Sequence, residues 1–252
     1  MGSCTLGGAI MPMLFTADLH YTLKQFDWLV AHAKRFDSIV IGGDLLDLHS
    51  SLDCDVQIVV VEKYLERIRR ETRVLVSSGN HDGDSRNSAD ESVAQWILDI
   101  RARGFFADGD SIEVAGDLVT ICPWWDGPLS RAQLEDQLVR AASRVTGRWI
   151  WVHHAPPAGA KVCWTGRESA GDEFLLGWIE RFKPDIVLSG HIHNSPFYSD
   201  GAWVDRIGPT WVFNPGREIG STPVHIIFDL EAMTAEWIST EGRSLQRLSA
   251  HV

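Results

Sequence analysis

The sequence predicts an α/β fold of stacked mixed sheets covered by helices, and three observations carry that prediction. Short apolar, β-branched runs recur along the chain. Amphipathic segments of helical period separate many of them. The second half adds strand pairs joined by tight turns instead of helices. Strands that alternate with helices are covered by a helical layer, whereas hairpins extend a sheet with antiparallel strands.

Met13–Ala17 is the first strand-like run. It is followed by "TLKQFDWLVAHAKRF", where Leu23, Phe26, Leu29, Val30 and Ala33 share one helical face. Ser38–Ile41 is the next strand and Val56–Arg70 the next helix; Arg73–Ser77 and a helix over Ser92–Arg103 repeat the device. "SIEVAGDLVTICPWW" reads as a hairpin turning at Gly116-Asp117. A helix over Leu129–Val145, a strand at Trp149–Val152, a helix over Asp172–Phe182 and a strand at Asp185–Leu188 follow. "GAWVDRIGPTWVFNPG" and "PVHIIFDLEAMTAEWIST" add hairpin-like strands. No linker, repeat or low-complexity tract interrupts the pattern, so residues 13–252 are expected to form a single domain behind a flexible lead over 1–12.

With 252 residues and 44% hydrophobic content, the chain can bury a sizeable core. No apolar run reaches the length of a membrane span, and "MGSCTLGGAI" lacks the basic start and apolar core of a secretion signal. The expectation is a cytoplasmic protein with no membrane partner. The net charge of −11 and the absence of a long basic cluster argue against a nucleic-acid backbone as partner. Anionic small substrates stay open, because bound divalent cations reverse the local field. Cys4, Cys54, Cys122 and Cys163 form no C-x-x-C pair, which argues against structural zinc and a disulfide framework. Cys122 and Cys163 read as buried free thiols, and Cys4 as exposed.

Function is concentrated at the strand ends. Met13–Ala17 is followed by Asp18-Leu19-His20, and Ser38–Ile41 by Gly42-Gly43-Asp44. Arg73–Ser77 leads to Gly79-Asn80-His81-Asp82, Trp149–Val152 to His153-His154, and Asp185–Leu188 to Gly190-His191-Ile192-His193. Any one cluster is accounted for by helix capping or a loop of side chain-to-backbone bonds. Together, in order and each at a strand end, they point to a metal site, because α/β sites assemble beyond the carboxyl ends of strands. Imidazole, carboxylate and amide oxygen without thiolate is a donor set for first-row divalent ions. Gly43, Gly79 and Gly190 permit close backbone approach or positive φ beside them.

Asp18-x-His20, Gly43-Asp44, Gly79-Asn80-His81-Asp82, His153 and Gly190-His191-x-His193 resemble the ordered motifs of the calcineurin-like metallophosphoesterases, and Asn214-Pro215-Gly216 resembles a further segment of that superfamily. The resemblance implies a four-layer αββα sandwich of two mixed β-sheets flanked by helices, with two divalent metal ions at the strand ends. It makes Asp18, His20 and His193 ligands of one ion and Asn80, His153 and His191 ligands of the other, with Asp44 bridging them. His81 would stand near the leaving group, oriented by Asp82. Mixed nitrogen and oxygen ligation suits Mn, Fe, Zn, Ni or Co. The implied reaction is in-line attack on phosphorus by a hydroxide shared between two ions, whose repulsion a bridging carboxylate offsets. The implied substrate is a small phosphomonoester or phosphodiester, nucleotides included. A nuclease of the same superfamily, a phospholipid-precursor hydrolase and a non-catalytic interaction scaffold are the alternatives.

Several residues keep two readings. His153 and His154 are adjacent, so on an extended segment they point oppositely and one of them ligates; the resemblance favours His153, leaving His154 behind the site or toward substrate. Asp47 either buttresses a ligand or caps the next helix. Trp124 and Trp125 either stack on a flat substrate group or pack beneath loops, and Arg167 and Arg86 either clamp phosphate or lie on the surface.

Overall fold

The structure, a computed structural model, describes residues 12–248. The predicted lead over 1–12, apart from Pro12, and the predicted exposed Cys4 lie outside them. The first half runs β1 (Met13–Thr16), α1 (Leu23–His32), β2 (Ser38–Gly42), α2 (Cys54–Arg69), β3 (Arg73–Ser77), β4 (Ser85–Arg86), β5 (Ser92–Val93), α3 (Gln95–Ala102) and β6 (Phe106–Ala107). The second half runs β7 (Ser111–Val114), β8 (Asp117–Ile121), α4 (Pro128–Ala142), β9 (Trp149–Val152), α5 (Glu173–Phe182), β10 (Ile186–Leu188), β11 (Val204–Ile207), β12 (Thr210–Phe213), β13 (His225–Asp229), β14 (Thr234–Ser239) and β15 (Gly242–Arg247).

Two large mixed sheets result. One has the order β15-β14-β13-β1-β2-β3-β6 and the other β11-β12-β10-β9-β8-β7. In the first, β1, β2, β3 and β6 run parallel and β13 to β15 antiparallel. In the second, β8, β9, β10 and β12 are parallel, with β7 and β11 as antiparallel edges.

Side-chain alternation then builds four layers. Leu14, Ile39, Ile41, Val74 and Val76 face outward onto Phe26 and Leu29 of α1 and Val61 and Leu65 of α2. Their neighbours Met13, Phe15, Val40 and Leu75 face inward and meet Val119, Ile121, Ile150, Val152 and Leu188 of the other sheet. The outer face of that sheet presents Trp149, Trp151, Val187 and Val212 to Leu134 and Leu138 of α4 and Leu175 and Ile179 of α5. Both faces of each central strand are apolar because both are covered. This is the α/β class with two mixed sheets and flanking helices that the sequence predicts.

Among the boundaries that differ from expectation, α2 starts at Cys54 and α4 ends at Ala142, and two more have a cause in strand pairing. Ser92 and Val93 pair with Arg86 and Ser85, so α3 starts at Gln95 and not at Ser92. The β7–β8 turn lies one residue earlier, at Ala115-Gly116, both with positive φ, because Asp117 is already in the ladder opposite Val114. Cys122 and Cys163 are buried free thiols. No helix of the described residues is long and apolar enough to cross a membrane.

Candidate metal centre

Register brings the strand ends level. Thr16 of β1 lies opposite Ile41, and Gly42 opposite Ser77, so Asp18, Asp44 and Asn80 leave the first sheet side by side. In the second sheet Val152 lies opposite both Ile121 and Leu188, which aligns Trp124, His154 and His191. Backbone hydrogen bonds continue past the strands: Asp18 N–H donates to Gly43 O, His20 N–H to Asp44 O and Tyr21 N–H to Leu45 O.

The side chains converge in three groups whose donor atoms all lie within 4.8 Å of one another: the least buried is His20-Asp47-His81, and the other two are Asp18-His20-Asp44-His193 and Asp44-His154-His191. Asp44 belongs to the latter two. In the first of those, His193 Nε2 is 3.2 Å from Asp18 Oδ1, and the His20 and His193 Nε2 atoms are 3.0 Å apart. In the second, His154 Nε2 stands 3.1 Å from Asp44 Oδ2. The carboxylates are aimed by backbone amides: His191 N–H donates to both Asp18 oxygens at 3.1 and 3.0 Å, and His81 N–H to Asp44 Oδ1 at 2.9 Å.

Holding these side chains requires unusual backbone. Asp18, His20, Tyr21, Asp44 and His191 all have positive φ, between 40° and 67°. Non-glycine residues rarely adopt that region, and such outliers cluster at functional sites. Close approach adds a second demand: a Cβ on Gly79 would lie 2.2 Å from Asp44 Oδ1, and one on Gly190 would lie 2.5 Å from Asp18 Oδ2.

These residues fit a divalent-metal site on three counts. Asp18 and Asp44 are 0% and 1% exposed, and only imidazoles form ion pairs with them among the described residues; buried carboxylates need such compensation. Asn80 Oδ1 and His154 Nε2 are buried without a hydrogen-bond partner. His154 Nδ1 lies 2.7 Å from Gly42 O, which can only accept, so Nδ1 carries a proton, and Nε2, 3.1 Å from Asp44, is the nitrogen on which a metal would take the place of the second proton, the arrangement of a metal-ligating histidine. Burial alone would push the His154 imidazole down, yet the Asp44 and Asp18 carboxylates hold it up to about 10, a sign of how much positive charge they draw. Burial, aided by the charge of His154, pushes His191 down to about 4. Against burial, hydrogen bonds from His193 and His20 hold Asp18 below the usual carboxylate range, and His154 does the same for Asp44.

The structure corrects the choice between adjacent histidines. His154, not His153, joins the cluster. Ile150 and Val152 face the space between the sheets, and Trp149 and Trp151 the outer helical layer. Continued alternation sends His154 inward and His153 outward, where its Nε2 is 3.8 Å from Asp172 Oδ2 and both ring nitrogens are buried without a hydrogen bond. Asp82 is also placed differently from expectation. Its Oδ1 accepts from the Leu45 and Leu46 amides and its Oδ2 from the Gly79 amide, so its carboxylate ties two loops together instead of orienting the His81 ring.

The remaining candidates separate cleanly. Asp47 comes within 4.8 Å of His20 and His81, and its Oδ1 also accepts the His49 amide. The His81 ring is half-buried, 4.6 Å from that of His20; burial, partly opposed by Asp44, pushes its imidazole below the ordinary range. The Trp124 ring stands 5.6 Å from His191 and 5.8 Å from His154, at the wall of the cluster. Trp125 packs away from it, donating to Asp172 and meeting Phe174 edge-on. Arg167 is exposed on its loop, and Arg86 is exposed and tied to Asp90. Arg217 is a residue the sequence reading missed: its Nε donates to Asp18 O at 3.0 Å, bringing a cation to the cluster. Its one sequence signal is that it directly follows Asn214-Pro215-Gly216.

Comparison with known proteins agrees with this architecture. The family described as calcineurin-like phosphoesterase matches residues 11–195. "Putative phosphoesterase 078R" of Invertebrate iridescent virus 3 is 25% identical over 209 residues, covering 76% of this chain and 55% of that protein. The chain thus spans about half the length of this curated relative. Among solved structures, TT1561 of Thermus thermophilus superposes with a TM-score of 0.60 at 13% identity, covering 96% of this chain and 100% of that one. A dimetal phosphatase from Danio rerio gives 0.54 at 13% identity, covering 93% and 96%. At these identities the structural likeness is one of fold.

Proposed function

The chain belongs to the calcineurin-like phosphoesterases, and from that premise we propose that it is a two-metal hydrolase of small phosphomonoesters or phosphodiesters, nucleotides among them. The observation that carries this reading is Asp44, a buried carboxylate shared by two donor groups. Asp18, His20 and His193 would hold one ion, and Asn80, His154 and His191 the other. Bound there, such ions supply Lewis acidity toward phosphoryl oxygens and a water acidic enough to attack phosphorus near neutral pH.

The chain's own residues supply position. Hydrogen bonds donated by the His191 and His81 amides to the two carboxylates and the three-amide grip of Asp82 fix the loops, the kind of preorganisation that lowers a barrier by holding reactants in line. His81 is the side chain proposed to protonate the departing oxygen. Its Nδ1 accepts from the Leu48 amide at 3.4 Å, so the neutral ring carries its proton on Nε2; the acid role requires the imidazolium, in which this long Leu48 contact is given up and Nε2 passes its proton to the departing oxygen. Arg217 is proposed to contact a phosphoryl oxygen through its terminal nitrogens while Nε holds Asp18 O.

The test is hydrolysis of p-nitrophenyl phosphate and its bis ester after supplementing the protein separately with Mn, Fe, Zn, Ni and Co. Metal-dependent turnover that a chelator abolishes is expected. Inactivity with every metal across a broad ester panel would overturn the reading in favour of a scaffold. His81→Ala should retain metal and lose turnover mainly on esters with poor leaving groups; equal losses on good and poor ones would remove His81 from the acid role.

A further inference from the structure

A cleft of about 290 Å³ opens beside the cluster, between α3, α4 and the loop after β8. That is near the low end of the ~300–1,000 Å³ typical of small-molecule sites. Trp124 is its wall toward the cluster, since the same ring stands 5.6 Å from His191. Val93, Leu98 and Pro123 add apolar surface.

Most of the polar groups around the cleft are already engaged. Gln137 donates to the Asp110 and Ile121 carbonyls, Ser130 Oγ is bonded to Gly127, and Arg101 pairs with Asp110 at 2.6 Å. Gln133 and Arg140 have no side-chain hydrogen bond or ion pair among the described residues, and Asp108 has Ser78 as its partner. Asp108 lines the cleft, is 2% exposed, accepts the Ser78 amide at 2.9 Å and forms no ion pair among the described residues. An indole wall, apolar sides and a buried acceptor make a recognisable combination. It suits a flat ring that carries an N–H edge. A lipid tail would leave Asp108 unmatched, and a polyol would leave the indole face unmatched.

We infer that this cleft receives the planar heteroaromatic part of the substrate, stacked on Trp124 with a ring or exocyclic N–H given to Asp108, while its phosphate reaches the metal cluster. The inference rests on the phosphoester reading only for the phosphate; the cleft itself is testable without hydrolysis.

The probes are adenosine and guanosine, which carry no phosphate, titrated calorimetrically into the protein with glycerol and ribose as controls. A Leu98→Trp variant fills the cleft from α3, and Gln133→Trp fills it from the exposed face of α4 should the first fail to fold. Expected results are nucleoside binding that at least one filled variant weakens by about tenfold or more, the range of one base–aromatic stack. The ratio of kcat/KM for nucleoside phosphates over methyl phosphate should fall in the same variant. Nucleosides that bind no better than ribose, or a filled cleft that changes neither binding nor that ratio, would overturn the inference while leaving hydrolysis of simple esters intact. Nucleoside binding lost on filling, in a protein that hydrolyses no ester, would uphold the cleft and sink the phosphoester reading.

Discussion

His153 and His154 are adjacent, both are fully buried, and each lies near an aspartate, yet they point from opposite faces of one sheet. His154 continues the inward face of β9 and meets Asp44, Asp18 and His191 between the sheets. His153 continues the outward face and meets Asp172 at the start of α5, where that carboxylate caps the helix by accepting from Phe174 and Leu175. The same pair of residue types is therefore a candidate metal ligand set on one face and helix-capping structure on the other. The difference is set by strand parity alone.

The strongest way to break this comparison is through the two aspartates. Asp44→Asn should lower kcat/KM by more than about 100-fold, beyond what removal of a ligand's outer partner commands, and should reduce metal bound per chain. Asp172→Asn should leave metal content unchanged, with turnover within a few-fold. Equal losses in the two variants, by metal analysis and kinetics, would refute the division. The histidines should follow. His154→Ala is expected to lower metal affinity at least about tenfold, whereas His153→Leu removes two unpaired buried nitrogens and should leave metal binding intact with an unchanged or raised melting temperature. Metal loss in His153→Leu and none in His154→Ala would reverse the assignment.

On the inner rim, Arg217→Ala should raise KM about tenfold with metal retained, the size of one charged hydrogen bond to substrate. An unchanged KM would limit Arg217 to its tie with Asp18. The smallest effect concerns Asp108, a buried carboxyl that has an amide where Asp44 has imidazoles. Burial pushes it up to about 7 from 3.8. Between those values the folded chain keeps a proton that the unfolded chain has released, so stability falls as pH rises through the window, by at most about 1.4 kcal/mol per pH unit. Asp108→Asn lacks this term. Urea midpoints should therefore drop more from pH 5 to pH 8 in the unaltered protein than in the variant; parallel drops would show that Asp108 does not carry the titration.

Much of this was legible in the sequence because the central strands are apolar on both faces and end in polar residues. Asp18, His20, Asp44, His191 and His193 could be picked out one strand at a time, and the structure gathers them. What was not legible depends on direction or distance. Trp149, Ile150, Trp151 and Val152 are all apolar, so nothing in the run marks which parity faces inward, and His153 was preferred by family resemblance. Asp82 spends its oxygens on backbone amides, partners that residue identity does not reveal. Arg217 reaches Asp18 across 199 positions of sequence. The short β4–β5 pair that delays α3 depends on a two-residue ladder, too brief to leave a period.

The left-handed backbone at Asp18, His20, Asp44 and His191 has a consequence for how this chain can change over time. Each such residue costs roughly 1–2 kcal/mol relative to glycine in the same conformation, a load that at these positions is offset only by what the side chain does. In a descendant relieved of its chemistry, those four positions would be the first to drift, and glycine or asparagine there would be a neutral or stabilising exchange. Relatives that keep the sandwich but have fallen idle should thus be recognisable from those positions before any assay is run.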